Sequence, residues 1–187
     1  MYSSGRGTVK KNTSLTALGG IITALSIFLL FLTGMIPNTT YLLPVFAAIL
    51  MLPMLEEAES KWAWFIYIAV SVLSFFIVTD KEAAVMYVFV FGYYPILKQL
   101  LESHFKKPVA WIFKFIIYNL MVVAAYLLII YVFLIPVDGL DRFGKWTPLL
   151  LLALMDLVLI VYDYLVTVLT RVYQKSYAER VHKLFRR

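Results

Sequence analysis

Residues 41–55 read YLLPVFAAILMLPML, and whether this run crosses a membrane decides the fold. It is apolar throughout, yet its fifteen residues fall short of the roughly 20 that a helix needs to span the hydrocarbon. Pro44 and Pro53 interrupt it, so a re-entrant segment is the alternative to a crossing. Five longer apolar runs accompany it, at about 15–36, 62–78, 83–101, 109–135 and 147–170. The basic residues discriminate. With six spans and the N-terminus inside, thirteen of the 17 Lys and Arg residues fall on the inner face. These are Arg6, Lys10, Lys11, Lys61, Lys98, Lys106 and Lys107, with Arg171, Lys175, Arg180, Lys183, Arg186 and Arg187 in the tail. Only Lys81, Arg142 and Lys145 lie outside, and Lys114 falls within a span. Were 41–55 not to cross, the Lys106-Lys107 loop would be expelled, against the positive-inside rule. The expected fold is an all-α integral membrane protein, six transmembrane helices in a compact bundle with both termini cytoplasmic. Residues 1–14 form a cytoplasmic N-terminal tail, 15–170 the transmembrane domain, and 171–187 a basic cytoplasmic C-terminal helix.

Composition agrees with that class. The chain is 63% hydrophobic and only 15% charged, where soluble domains stand nearer half and a quarter. The net charge of +6 sits at the edges of apolar runs, as topology signals do, so no nucleic-acid partner is expected. The first run is too long for the core of a cleaved signal peptide, and no small-residue cleavage site follows it. The expected location is the bacterial cytoplasmic membrane. The chain has no cysteine, which excludes disulfides, thiolate metal sites and cysteine nucleophiles. Enzyme signatures fail on inspection. Glu56-Glu57 followed by Lys61 resembles the EExxxR element of intramembrane CAAX-type proteases, but Lys stands where Arg belongs. The two histidines, His104 and His182, lie outside the spans, so that family's metal site cannot be assembled. Asp138-Gly139 with Arg142 loosely resembles the CDP-alcohol phosphotransferase signature, with the arginine spacing wrong and the later carboxylates missing. No phosphate loop and no HExxH is present. The expectation is no catalysis, no metal and no cofactor.

The last run contains MDLVLIVYDYL, residues 155–165, which sets Asp156 and Asp163 seven residues apart on one helix face. A charged Asp at the centre of a membrane helix costs roughly 2.5–3.5 kcal/mol. That face therefore points into the bundle or into a wet cavity. Asp163 has Lys114 or Lys98 as internal ion-pair partners. Asp156 has no basic residue at its depth, only Asn119, and is the candidate for contact with a substrate, a proton or a cation. Within the fourth run Pro95 removes a backbone donor and predicts a kink near Gly92. On the first run Ala17, Gly20 and Ala24 form a stripe of small residues, with Thr16 beside them, which lets another helix approach closely.

Size, six spans and the Ala17/Gly20/Ala24 stripe together resemble the substrate-binding S components of energy-coupling factor (ECF) vitamin transporters. The resemblance covers nearly the whole chain as a topology. It implies that the stripe docks on a transmembrane coupling subunit served by ATPases. It also implies that a small-molecule ligand sits in the outer half of the bundle, under the loop between the first two spans. Here that lid is Asn38, Thr39, Thr40 and Tyr41, with Tyr87, Phe91, Tyr126, Tyr131, Trp146, Asn119 and Asp156 as walls and polar handle. Two other readings stay open: a non-catalytic scaffold of a membrane complex, with both aspartates as internal ties, and a small proton- or cation-coupled carrier.

Overall fold

A computed structural model describes residues 4–58, 60–133 and 147–176. Among them the chain forms α1 (Ser4–Leu32), α2 (Leu42–Ile49), α3 (Leu52–Glu57), α4 (Ser60–Ile77) and α5 (Lys81–Met86). A π-helical turn (Tyr87–Phe91) follows, then α6 (Tyr94–His104), α7 (Lys107–Tyr131) and α8 (Thr147–Ser176), and no strand. Five helices are long and apolar enough to cross a membrane: Thr13–Leu32, Ser60–Ile77, Lys81–His104, Lys107–Tyr131 and Leu149–Lys175. The protein is thus an all-α, multi-pass membrane protein. Its surface is apolar, with Phe65, Phe76, Ile116, Leu120 and Leu157 all exposed, as a lipid-facing wall requires.

The run 41–55 folds as two short helices rather than one. Proline explains the break: Pro53 has no N–H to give Ile49 and its ring would meet that carbonyl, so α2 stops and α3 starts anew with Pro53 in its first turn. The same device opens α6 at Pro95 and α7 at Pro108. At the α2 terminus the Met51 N–H turns to Ala48 O (3.3 Å), while the buried Ser26 hydroxyl donates to Ala47 O (3.1 Å) and ties α1 to α2. Ala47 and Ala48 are fully buried there, small enough to admit that approach.

The segment from Tyr41 to Glu57 touches both ends of the molecule. At one end, which carries the α1–α2 and α4–α5 turns, Thr40 donates to Asp80 Oδ2 (2.9 Å) and Tyr41 to Glu82. At the other, which carries the α6–α7 turn, Gln99 donates to Leu55 O (3.1 Å), Gln174 to Glu56 (2.7 Å) and Tyr173 to Glu57 (3.1 Å).

The Lys81–His104 segment is the central one. Of its most apolar stretch 72% is buried, against 22–28% for the other four spans. Its middle is not α-helical, again for a reason in the sequence. Pro95 leaves Phe91 O without a donor, and the Gly92 N–H reaches back to Tyr87 O (2.6 Å) instead of Val88 O. Both orphaned carbonyls are covered by neighbouring phenols: Tyr162 donates to Phe91 O (3.1 Å) and Tyr67 to Val88 O (2.9 Å). Gly92 is required here, since a Cβ would stand 2.7 Å from Tyr87 O and 2.9 Å from the Tyr87 ring.

Candidate functional site

The described part of the membrane domain holds an ionic centre, a carboxylate–amide pair between α7 and α8, a set of buried phenols, and cavities of about 300, 260 and 200 Å3. The ionic centre arises from two helix faces with four-residue spacing, Tyr94/Lys98/Glu102 on α6 and Asp163/Thr167 on α8, with Lys114 reaching in from α7. Asp163 Oδ1 accepts from Tyr94 (2.7 Å) and Lys114 (2.8 Å) and lies 2.7 Å from the Lys98 ammonium. Lys98 also donates to Asp163 O (3.0 Å) and Thr167 (2.6 Å). Lys114 bridges on to Glu102 (2.6 Å) and stands 5.0 Å from the centre of the Trp111 ring. Two ammoniums face two carboxylates, so the centre is formally neutral. Lys114 is 1% exposed, yet its donors are well supplied with acceptors, which a buried charge requires. These contacts join α6, α7 and α8. A polar cavity of about 260 Å3 adjoins them, with Gln99, Thr170 and Arg171 in its wall.

Two turns along α8, half-buried Asp156 accepts from Asn119 Nδ2 (2.8 Å), and the same amide donates to Phe115 O (3.0 Å). This pair links α7 and α8 a second time. Three phenols nearby, Tyr87, Tyr93 and Tyr118, are buried with no partner for their hydroxyls among the described residues. Tyr118 stands edge-on to Tyr94 at 6.2 Å, beside the ionic centre.

A cavity of about 300 Å3 lies toward the end that carries the α1–α2 turn, between α5 with the π turn, α7 and α8. Met86 and Val90 wall one side, Val122, Ala125 and Tyr126 a second, and Leu152 and Met155 a third, with Tyr41 and Glu82 at its edge. Its lining is almost wholly apolar.

The residues singled out in the sequence scatter relative to this cavity. Tyr41 and Tyr126 line it. Tyr87 and Phe91 pack in the core around the π turn, and Phe91 meets the Tyr162 ring edge-on at 5.3 Å. Asn119 and Asp156 bond each other next to Met155, outside the lining. Asn38 adopts a positive φ of 64° and Thr39 donates to Ile36 O (2.7 Å), both shaping the turn rather than the cavity. Tyr131 is 74% exposed, and Trp146 lies outside the described residues. Ala17, Gly20 and Ala24 are all exposed, and a Cβ on Gly20 would have nothing within 4 Å. The opposite face of α1, Leu15, Ile22, Ser26 and Leu30, is the packed one.

Sequence reasoning passed over Glu82, Met86, Val90, Leu152 and Met155 as cavity residues. Only the half-buried Glu82, a carboxylate in the first turn of a span, carried a signal that could have found one of them. It passed over Glu102 too, although the i, i+4 spacing from Lys98 pointed to it. Among the described residues no group of three metal-ligating side chains forms. Comparison with protein-family models, with curated proteins and with solved structures finds no match to this chain.

Proposed function

We propose that this chain is the membrane-embedded small-molecule-binding subunit of an ATP-driven uptake transporter. The observation that carries this reading is the 300 Å3 cavity, edged by Tyr41 at the start of α2 and walled by Tyr126. Its size falls at the small end of the range for ligand pockets, about 300–1,000 Å3. The reading takes the chain as six spans with both termini cytoplasmic, in a bacterial cytoplasmic membrane. Two things support that topology: the distribution of Lys and Arg, and the reach of residues 41–57 from Glu82 at one end to Gln174 at the other. The cavity then opens in the outer half, where a nutrient arrives. The sequence carries no nucleotide-binding motif, so the energy for uptake comes from partner subunits. The exposed Ala17, Gly20 and Ala24 face offers a close-packing surface for a transmembrane coupling subunit.

A second reading is a non-catalytic scaffold of a membrane complex. The engagement of both aspartates in ties between helices favours it, because Asp163 is held by two ammoniums and a phenol and Asp156 bonds Asn119 outside the cavity lining. Native mass spectrometry of the protein taken gently from its own membrane separates the two. A stoichiometric small-molecule adduct that disappears in Leu152→Trp supports the binder. A ligand-free protein that arrives with another membrane subunit supports the scaffold.

A further inference from the structure

Among the described residues the edge of the cavity carries one charged group. No Lys or Arg among the described residues lines it, and Glu82 is the one carboxylate there. The described charged residues beside it, Lys81 and Asp80, are committed elsewhere. The Lys81 ammonium donates to Phe75 O and Val78 O (2.8 Å each), closing the end of α4. Asp80 caps α5, its Oδ1 accepting from the Ala83 N–H (3.1 Å) and its Oδ2 from Thr40 (2.9 Å). Glu82 Oε1 accepts the Tyr41 phenol, whereas Oε2 accepts nothing among the described residues. A carboxylate offers about four lone-pair sites, so one phenol leaves most of its capacity unused. Behind it the walls are hydrocarbon, and a low-dielectric surround strengthens whatever charge pairing does form.

We propose that the cavity takes small, mainly apolar molecules that carry a single cationic group, received by Glu82, and turns away carboxylates and phosphates. This rests on the binder reading above and narrows it to a substrate class. The volume admits a one- or two-ring body between Val90, Val122 and Leu152. An amine at the edge meets Glu82 Oε2. An anion in the same place meets a like charge, with no Lys or Arg among the described lining residues to offset it.

The test uses the full chain in zwitterionic-lipid nanodiscs, with empty nanodiscs subtracted. Three probes share one apolar body: naphthylmethylamine, naphthalenemethanol and naphthoic acid. Binding is measured by equilibrium dialysis on the wild type, on Glu82→Gln, and on two cavity-filling variants, Leu152→Trp and Ala125→Leu, so that one misfolded variant does not end the experiment. The expected order is amine over alcohol by about tenfold, with the acid weakest, from a partly screened charge pair. Glu82→Gln levels amine and alcohol, and filling the cavity abolishes both. An acid that binds as tightly as the amine, or an amine preference that survives Glu82→Gln, overturns the substrate class while the cavity remains a binding site. Binding indifferent to both filling variants, or no binding by any probe, overturns the class and the binder reading together. A lipid chain resident in the cavity would give that second pattern.

Discussion

Lys114 shows what a single residue does in this interior. Its ammonium, nearly inaccessible to water, is shared by Asp163 and Glu102 from two other helices. Without it the two carboxylates share, among the described residues, Lys98 alone, and loss of one partner from a buried ion pair costs about 3–5 kcal/mol. Lys114→Met should therefore lower the thermal midpoint in detergent far more than Asn119→Ala, whose neutral amide serves a half-buried carboxylate and is worth about 1.5–3 kcal/mol. A differential scan of both variants checks the order, and equal effects would deny the ionic centre its structural weight. The phenols give a contrast of opposite sign. Tyr87 buries a hydroxyl that finds no acceptor among the described residues, whereas the Tyr162 hydroxyl covers Phe91 O. Tyr87→Phe should be neutral or stabilising and Tyr162→Phe destabilising by about 1 kcal/mol, read from the same scans. Residue chemistry of this kind was partly legible in advance. Two carboxylates in an apolar run demand partners whatever the fold. Which of Lys98 and Lys114 would meet Asp163 was not, because that depends on how far three helices rotate about their axes; both in fact lie within 2.8 Å of it.

At the scale of the element, the middle of the central span is the feature most dependent on sequence detail. Pro95 removes one donor, Gly92 supplies a longer-range one, and two phenols from α4 and α8 cover the carbonyls left over. Gly92→Ala would push a methyl into Tyr87, both backbone and ring, where the surrounding core has no slack. Overpacking of this sort costs about 1–3 kcal/mol, and Gly92→Ala should lower the midpoint accordingly. If the midpoint holds, the turn has relaxed to ordinary α-helix around the alanine, and a Tyr67→Phe exchange in that background should then cost nothing. The kink near Gly92 follows from Pro95 alone and is legible in the sequence. The π turn is not, since an α-turn and a π turn share one composition and differ only in which carbonyl Gly92 selects. Likewise Pro53 announces a break in 41–55, but its place at Leu50 and Met51 reflects packing of α2 on α1 through Ser26 and Ala47.

For the molecule as a whole, the five long apolar runs were legible because hydrocarbon thickness sets their length. The cavity was not, because an apolar void exists only where three helices fail to fill the space between them, and no run of sequence records that. Whether 41–57 crosses the membrane is the point on which topology turns. The 8 residues of α2 and 6 of α3 reach only about 21 Å at 1.5 Å per residue, less than the roughly 30 Å of hydrocarbon. A short, proline-broken crossing survives in lipid only if other helices shield its unpaired backbone, and the buried Ala47, Ala48, Met51, Leu52, Met54 and Leu55 indicate that shielding. The chain has no native cysteine, so any introduced one is the sole thiol and reports its own side of the membrane. With six spans, Pro37→Cys in the α1–α2 turn should react with a membrane-impermeant maleimide on intact cells. Lys61→Cys, just past α3, and Ser103→Cys at the end of α6 should react only after permeabilisation. If 41–57 dips in and returns, Pro37→Cys and Lys61→Cys must share a side, whichever side that is. The pair of labels thus reads the crossing directly. The same result fixes whether the 300 Å3 cavity opens toward the side from which a nutrient would come.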